Sequence, residues 1–476
     1  MRRFPAIALV LVLSLLLLFP SALAEDELQV SGSYQYRILA DGTAMILRYT
    51  GEDEEFLTIP ETLGGARVSV LGPNSFEWRT QLIEVEIPEG VTEIGDNAFL
   101  YCKNLTYVLI PDSLREIGKN PFASCETLSD IDFSDNHPVL SLEDGVLYSK
   151  PDSRLVTYTM TLPHGPFEVP DGIRIIGASA FYNCDSLTGL TLPDTVTSIG
   201  QKAFFQCVDL KSINLPDSIS YVGDEAFSGC RGLRSLVFPD SITAIGDSTF
   251  RDCTNLEELV LPGEATSIGD RAFYGCSSLR SLILPEDITV IGQNTFADCR
   301  NLLEISLPDD VTYIGSGAFL NCYALKEIEI PDGVNYIGAS AFYFCQSLEE
   351  VEVPDTCFYI GPNAFFGCSS LQEFTLPMVM NSISLGVFQG CTGLTEIEIP
   401  LRVTSIGNLA FAGCSGLTEI EIPANVTTIG EKAFYFCTSL ESVDLPDSLT
   451  YVAPDAFDQC PNLTDLPDLS EFSEEE

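Results

Sequence analysis

Residues 325–345 read LKEIEIPDGVNYIGASAFYFC, and each position has a physical assignment. Residues 326–330 alternate polar and apolar, the period of a half-buried strand. Pro331 ends the strand because it has no amide to give to a ladder. Asp332 and Gly333 form the turn that follows. Val334, Ile337, Ala341, Phe342 and Cys345 are expected to point inward. The last three have the spacing of a single helical turn, and Gly338 is expected to permit the tight bend before them.

The same stretch recurs. From Cys184 to Cys460 a cysteine returns every 23 residues, and Cys102 and Cys125 form an earlier pair at the same step. A phenylalanine stands three residues before each, as in Phe181, Phe204 and Phe227. Phe76, with Arg79 in the cysteine place, adds one more coil and brings the number to sixteen. A coil of 23 residues cannot bury its own apolar face, so it must stack on its neighbours as a solenoid. Sixteen strands at the usual sheet spacing extend roughly 77 Å.

Two segments interrupt the array. Residues 25–59 lack the repeat; apolar stretches at 34–39 and 44–49 flank an Asp41–Gly42 turn, which reads as a hairpin capping the first coil. Residues 126–170 separate the first repeat block, 60–125, from the main array, 171–460. They hold strands at 146–148 and 155–158 around a Pro151–Asp152 turn, read as a hairpin projecting from one coil. Residues 461–476 read as half a coil and an acidic tail.

The first 24 residues are a short basic start, an apolar run at 7–19 and an Ala22-Leu23-Ala24 site, the pattern of a cleaved secretory signal peptide. The run is too short to span a bilayer. The chain has 23 basic and 69 acidic residues, a net charge of −46 that becomes two units more negative if Arg2 and Arg3 are removed. Such a field repels nucleic acid and anionic lipid and favours cationic partners. With 45% periodic apolar residues, disorder is excluded.

The pattern resembles the BspA-like class of bacterial leucine-rich repeats. The resemblance rests on PDSITAIGDSTFRDCTNL at 239–256 and its relatives, on DGVLYSKPDSRLVTY at 144–158 and on YRILADGTAMILRYTGEDEEFLTIP at 36–60. It implies a leucine-rich-repeat solenoid of the α/β class, strand-dominated, with parallel stacked strands and short helical turns. It also implies a surface or secreted protein engaged in adhesion. Ser384 and Ala453 in the glycine place and Pro121 in the alanine place depart from the pattern.

The sixteen cysteines are poor zinc ligands, because the two histidines, His137 and His164, both lie in the interrupting segment. Disulfides suit a secreted chain, but equivalent Cβ atoms on adjacent coils should lie about 4.8 Å apart, too far for one. A ladder of buried thiols is expected, with Cys357 also in the core. There is no nucleophile elbow, phosphate loop or zinc-protease helix. The aspartates after each proline are turn formers, so no enzymatic role, cofactor or metal is expected.

Function in a solenoid sits where coils differ and side chains face out. The two outward strand positions are five and seven residues after each cysteine. Following Cys299 to Cys437 they hold Glu304, Glu327, Glu329, Glu350, Glu352, Glu373, Glu396, Glu398, Glu419, Glu421 and Asp444. Earlier coils are nearly neutral and carry an apolar row, Val237, Val260 and Ile283. A second outward place carries Tyr313, Tyr336 and Tyr359. The place after the core phenylalanine is aromatic at Tyr182, Phe205, Tyr274, Tyr343, Phe366 and Tyr435. Each row has two readings: a contact surface, or a solvated face and inter-coil packing. The partners these rows fit are a basic protein on the acidic face or a glycan on the aromatic rows. A spacer that only gathers cations is the weaker alternative.

Overall fold

The computed structural model describes residues 27–51, 54–464, 466 and 468–472, the side chains of 470 and 471 excepted. The segment read as a signal peptide and the last four residues lie outside the described residues. Most coils contribute a strand to each of two parallel ladders. The leading ladder pairs Ser235–Val237 with Glu258–Val260 and Glu350–Glu352 with Glu373–Thr375. The trailing ladder pairs Tyr313–Ile314, Tyr336–Ile337 and Tyr359–Ile360 in succession. Each residue pairs with the one 23 positions on, so register is the repeat itself. A slip by one would turn every buried side chain outward.

The inward set is as expected: Val334, Ile337, Ala341, Phe342 and Cys345 are all fully buried. The core phenylalanines stack ring on ring, from 5.0 Å between Phe434 and Phe457 to 6.0 Å between Phe365 and Phe388. Cysteine follows because it is small and still donates. The Cys368 thiol bonds the Phe342 carbonyl of the previous coil at 3.2 Å, while that carbonyl also accepts the Cys345 amide at 3.1 Å. All sixteen thiols are free and fifteen are buried.

Three local expectations change. The segment around Ala341–Phe342–Cys345 is a run of turns, not a helical turn. Ser340 and Phe344 both take left-handed backbone, φ +56° and +57°. Every second amide therefore leaves the chain's own turn: Phe342 and Phe344 donate to Ala364 and Phe366 of the next coil, both at 2.7 Å. Gly338 is required by close approach rather than by a bend. A Cβ there would lie 2.4 Å from the Ser316 backbone nitrogen of the preceding coil. Finally, residues 326–330 keep only an isolated bridge, Glu327 to Glu350. The coil-to-coil bond that opens this stretch, Lys326 amide to Leu303 carbonyl, is stretched to 3.4 Å. The departures noted in the sequence are accommodated. The Ala453 amide bonds Ile429 at 2.9 Å, as Gly430 bonds Ile406, and the Ser384 hydroxyl donates to the Ile360 carbonyl.

At the start, Tyr34–Ile38 and Ala44–Tyr49 pair antiparallel, and Ala44–Tyr49 runs parallel to Ala66–Leu71. Tyr49 stacks on Phe76 at 5.4 Å and so begins the phenylalanine column. The second interruption does not project. Leu140–Glu143, Val146–Ser149 and Arg154–Tyr158 form an antiparallel meander whose last strand pairs parallel with Ile175–Ile176. Both faces of its last two strands are buried. Leu147 and Val156 pack into the N-terminal core, while Val146, Tyr148, Leu155 and Tyr158 pack into the main one. It is a septum between two cores, and Tyr158, 5.1 Å from Phe181, opens the second aromatic column. Asn120 ties the two blocks through it, donating to Ser179 at 2.5 Å and accepting from Thr157 at 2.6 Å. At the far end Leu463, Leu466, Leu469 and Phe472 pack against the last coils.

Candidate binding surface

Strand alternation sends one face of the leading ladder into the core and the other outward. Ile328, Val351 and Ile420 are buried, and all eleven of the flanking acidic residues from Glu304 to Asp444 are exposed. Ladder register then stacks like on like, with Glu327 beside Glu350, Glu350 beside Glu373, and Glu421 beside Asp444. None of these eleven carboxylates has a hydrogen bond or ion pair. Two like charges at the sheet spacing repel by roughly 0.9 kcal/mol in water. The ion pairs elsewhere, such as the exposed pair of Arg234 with Glu257 at 3.0 Å, sit off these rows.

The apolar row lies on the same ladder. Val237, Val260 and Ile283 are 62%, 55% and 88% exposed. A shallow hollow of about 630 Å³ lies over Val237 and Val260, and one of about 780 Å³ over Ile283 and Glu304. Tyr313, Tyr336 and Tyr359 are brought together on the trailing ladder, their rings stacked at 4.9 and 4.8 Å and nearly parallel. The aromatics that follow the core phenylalanines are half-buried, and four of them pair across coils: Tyr182 with Phe205 at 4.8 Å, Tyr343 with Phe366 at 4.6 Å. Those pairs are inter-coil packing. The sequence reading missed the Trp78–Tyr101 stack at 4.2 Å, whose two residues stand directly before the cysteine place rather than after the phenylalanine.

The chemistry of the interior is inert. Burial pushes the Cys102, Cys253 and Cys414 thiols up to about 12. Cys460, half-buried at the end of the ladder, is the exception: a hydrogen bond with the Cys437 side chain holds its thiol below the ordinary value. His137 is buried, Nε2 against the Pro111 carbonyl at 3.1 Å and Nδ1 accepting the Leu140 amide at 3.0 Å. Burial lowers its pKa. Among the described residues no cluster of three or more His, Cys, Asp or Glu is placed to hold a metal ion. None of their helices is long and apolar enough to cross a membrane.

Comparison with known proteins follows the same lines. A leucine-rich repeat protein from Bacteroides ovatus is 28% identical over 88% of this chain and 95% of its own, with a TM-score of 0.47. A leucine rich cell surface protein from Faecalibacterium prausnitzii is 28% identical over 88% of this chain and 94% of its own, with a TM-score of 0.42. The search of curated proteins finds no match. The family model of a BspA type leucine rich repeat region of 6 copies matches residues 55–161, 174–303, 291–417 and 381–470, most of the chain. With its coils, stacked phenylalanines and parallel ladders accounted for, this chain belongs to the BspA-type leucine-rich-repeat family.

Proposed function

We propose that this protein is a secreted, non-enzymatic binding protein that holds a basic polypeptide on the leading ladder between Glu304 and Asp444. Leucine-rich-repeat proteins generally serve protein–protein interaction, and the N-terminal pattern of a signal peptide supports export. The observation that carries the reading is the set of eleven exposed, unpaired carboxylates, with Glu327, Glu350 and Glu373, and Glu421 and Asp444, in direct ladder register. A cationic partner relieves their repulsion and adds charge-assisted hydrogen bonds from Lys or Arg. The glycan reading has less support. The three tyrosine rings cover one another's faces, which leaves little ring surface for a sugar to stack on. The cation-gathering spacer needs no specific partner, and the carboxylates offer it no closed set of ligands.

The test replaces Glu327, Glu350, Glu396 and Glu419 with Gln and measures binding of an oligolysine peptide by calorimetry at low and high salt. The expected result is a loss of about tenfold or more in affinity at low salt, with a flatter salt dependence. Binding that stays as tight and as salt-sensitive as in the parent protein would remove the acidic face from consideration.

A further inference from the structure

The place after the strand-ending proline is most often aspartate, a small turn former, as in Asp309, Asp332 and Asp355. In some coils that carboxylate also holds the neighbour, as where Asp355 accepts the amide of the next coil's equivalent residue at 2.7 Å. Three consecutive coils abandon it, the third with Ala424 and the first two with large apolar residues. Met378 and Leu401 occupy the place and are 52% and 65% exposed. Their rungs are neighbours, since Ser382 and Ser405 pair a few residues further along. Val379 beside Met378 is also exposed, as are Phe358 and Tyr359 on the preceding rung. Single exposed apolar residues are ordinary, but five large ones on three consecutive coils form a patch, and such patches mark contact sites. Folding supplies no reason for it, because Met and Leu give up a turn preference and a coil-to-coil hydrogen bond acceptor.

The surroundings choose the occupant. The outward places before the proline in these coils hold Glu350, Glu352, Glu373, Glu396 and Glu398, all exposed. Of the 23 lysines and arginines only Lys326, Arg402 and Lys432 come after residue 300. Anionic lipid and a second copy of this acidic chain are therefore repelled. We infer that Met378 and Leu401 anchor a polypeptide segment whose apolar side chains are flanked by lysine or arginine, the apolar side chains on this turn edge and the cations on the acidic ladder. The inference rests on the acidic face for its charged half and on the patch alone for its apolar half.

The experiment uses two peptides of equal charge and length, an oligolysine and one in which leucines interrupt the lysines, against the full chain. The variant Met378→Ala/Leu401→Ala keeps charge constant and installs the residue found at this place in the next coil, Ala424. The parent protein is expected to bind the leucine-containing peptide about tenfold more tightly than the oligolysine. The double variant should lose that preference, bind oligolysine unchanged and melt as the parent does. A preference that survives in the double variant overturns the inference. So does a parent protein that does not discriminate, or a patch-dependent association with anionic vesicles or with itself in sedimentation. The Gln variants of the acidic face report separately. If they bind oligolysine as well as the parent, the acidic reading fails while the alanine pair still decides the apolar anchor.

Discussion

At the scale of single residues, the repeat is held by what each side chain gives the adjacent coil. A cysteine is small enough for the interior and still donates to the phenylalanine carbonyl behind it, from Cys207 at 2.9 Å to Cys460 at 3.1 Å. The residue just before it takes left-handed backbone in coil after coil, as Asp252, Asp298 and Phe344 do, or is a glycine such as Gly413. That conformation costs a residue with a Cβ roughly 1–2 kcal/mol, and it turns alternate amides toward the next coil. The thiol ladder has a chemical consequence. A thiol pushed up to about 12, like Cys253, carries almost no thiolate at neutral pH and is also out of reach. Cys460 is shifted the other way and half-exposed. A chromogenic thiol reagent at about neutral pH should therefore label the native protein at Cys460 alone, and all sixteen cysteines after denaturation without reductant. A denatured count well below sixteen would mean disulfides, and fast labelling of several native thiols would mean an open core.

At the scale of elements, the two hairpins are one device used twice. Each ends on a tyrosine, Tyr49 or Tyr158, whose ring packs against the first phenylalanine of its block, and each hands its last strand in parallel to the trailing ladder. The first closes an end. The second, with a core on each side, couples the N-terminal block to the main array. In a solenoid stability is a sum of coil terms and nearest-neighbour interfaces, so damage to the septum should differ in kind from damage mid-array. Phe273→Ala, deep in the main block, should cost about 3–5 kcal/mol. Tyr158→Ala should cost a similar amount by the same reckoning, but should also let the blocks unfold separately. The chain's single tryptophan, Trp78, lies in the N-terminal block and reports on it alone, whereas circular dichroism reports on both. Urea titrations by the two probes should coincide in the parent protein. In Tyr158→Ala the tryptophan transition should come first, because its core is the smaller. Coincident curves in that variant would show that the septum does not couple the blocks.

At the scale of the whole molecule, the repeat period and the inward set were legible because a 23-residue step leaves one way to bury phenylalanine, leucine and cysteine together. The septum was half legible. Its strands Val146–Ser149 and Arg154–Tyr158 set apolar residues side by side, at 146–148 and 155–156, and adjacent apolar residues signal two buried faces where a projecting hairpin would alternate. The left-handed positions were hidden because serine, aspartate, phenylalanine and lysine all occupy them, so no residue type marks the place. The acidic rows were readable as a count, but their pairing and lack of counter-ions required the ladder register. That register makes the charge a property of one region. The carboxylates from Glu304 to Asp444 crowd one face while only three basic residues follow residue 300, and earlier coils interleave Lys211, Arg231, Arg234, Arg251, Arg271 and Arg280. Repulsion between exposed charges is screened as the Debye length shrinks from about 30 Å at 0.01 M salt to about 8 Å at 0.15 M. Raising salt across that range should stabilise the coils after residue 300 more than those before it. Amide hydrogen exchange resolves this coil by coil, because local opening in a solenoid is local in the repeat. The expected pattern is slowed exchange in the trailing strands Tyr336–Ile337, Tyr359–Ile360 and Ser405–Ile406, with little change at Ala244–Ile245 and Ser267–Ile268. A uniform change along the chain would mean that solvent already screens the stacked carboxylates fully, and a cationic partner would then gain nothing by relieving them.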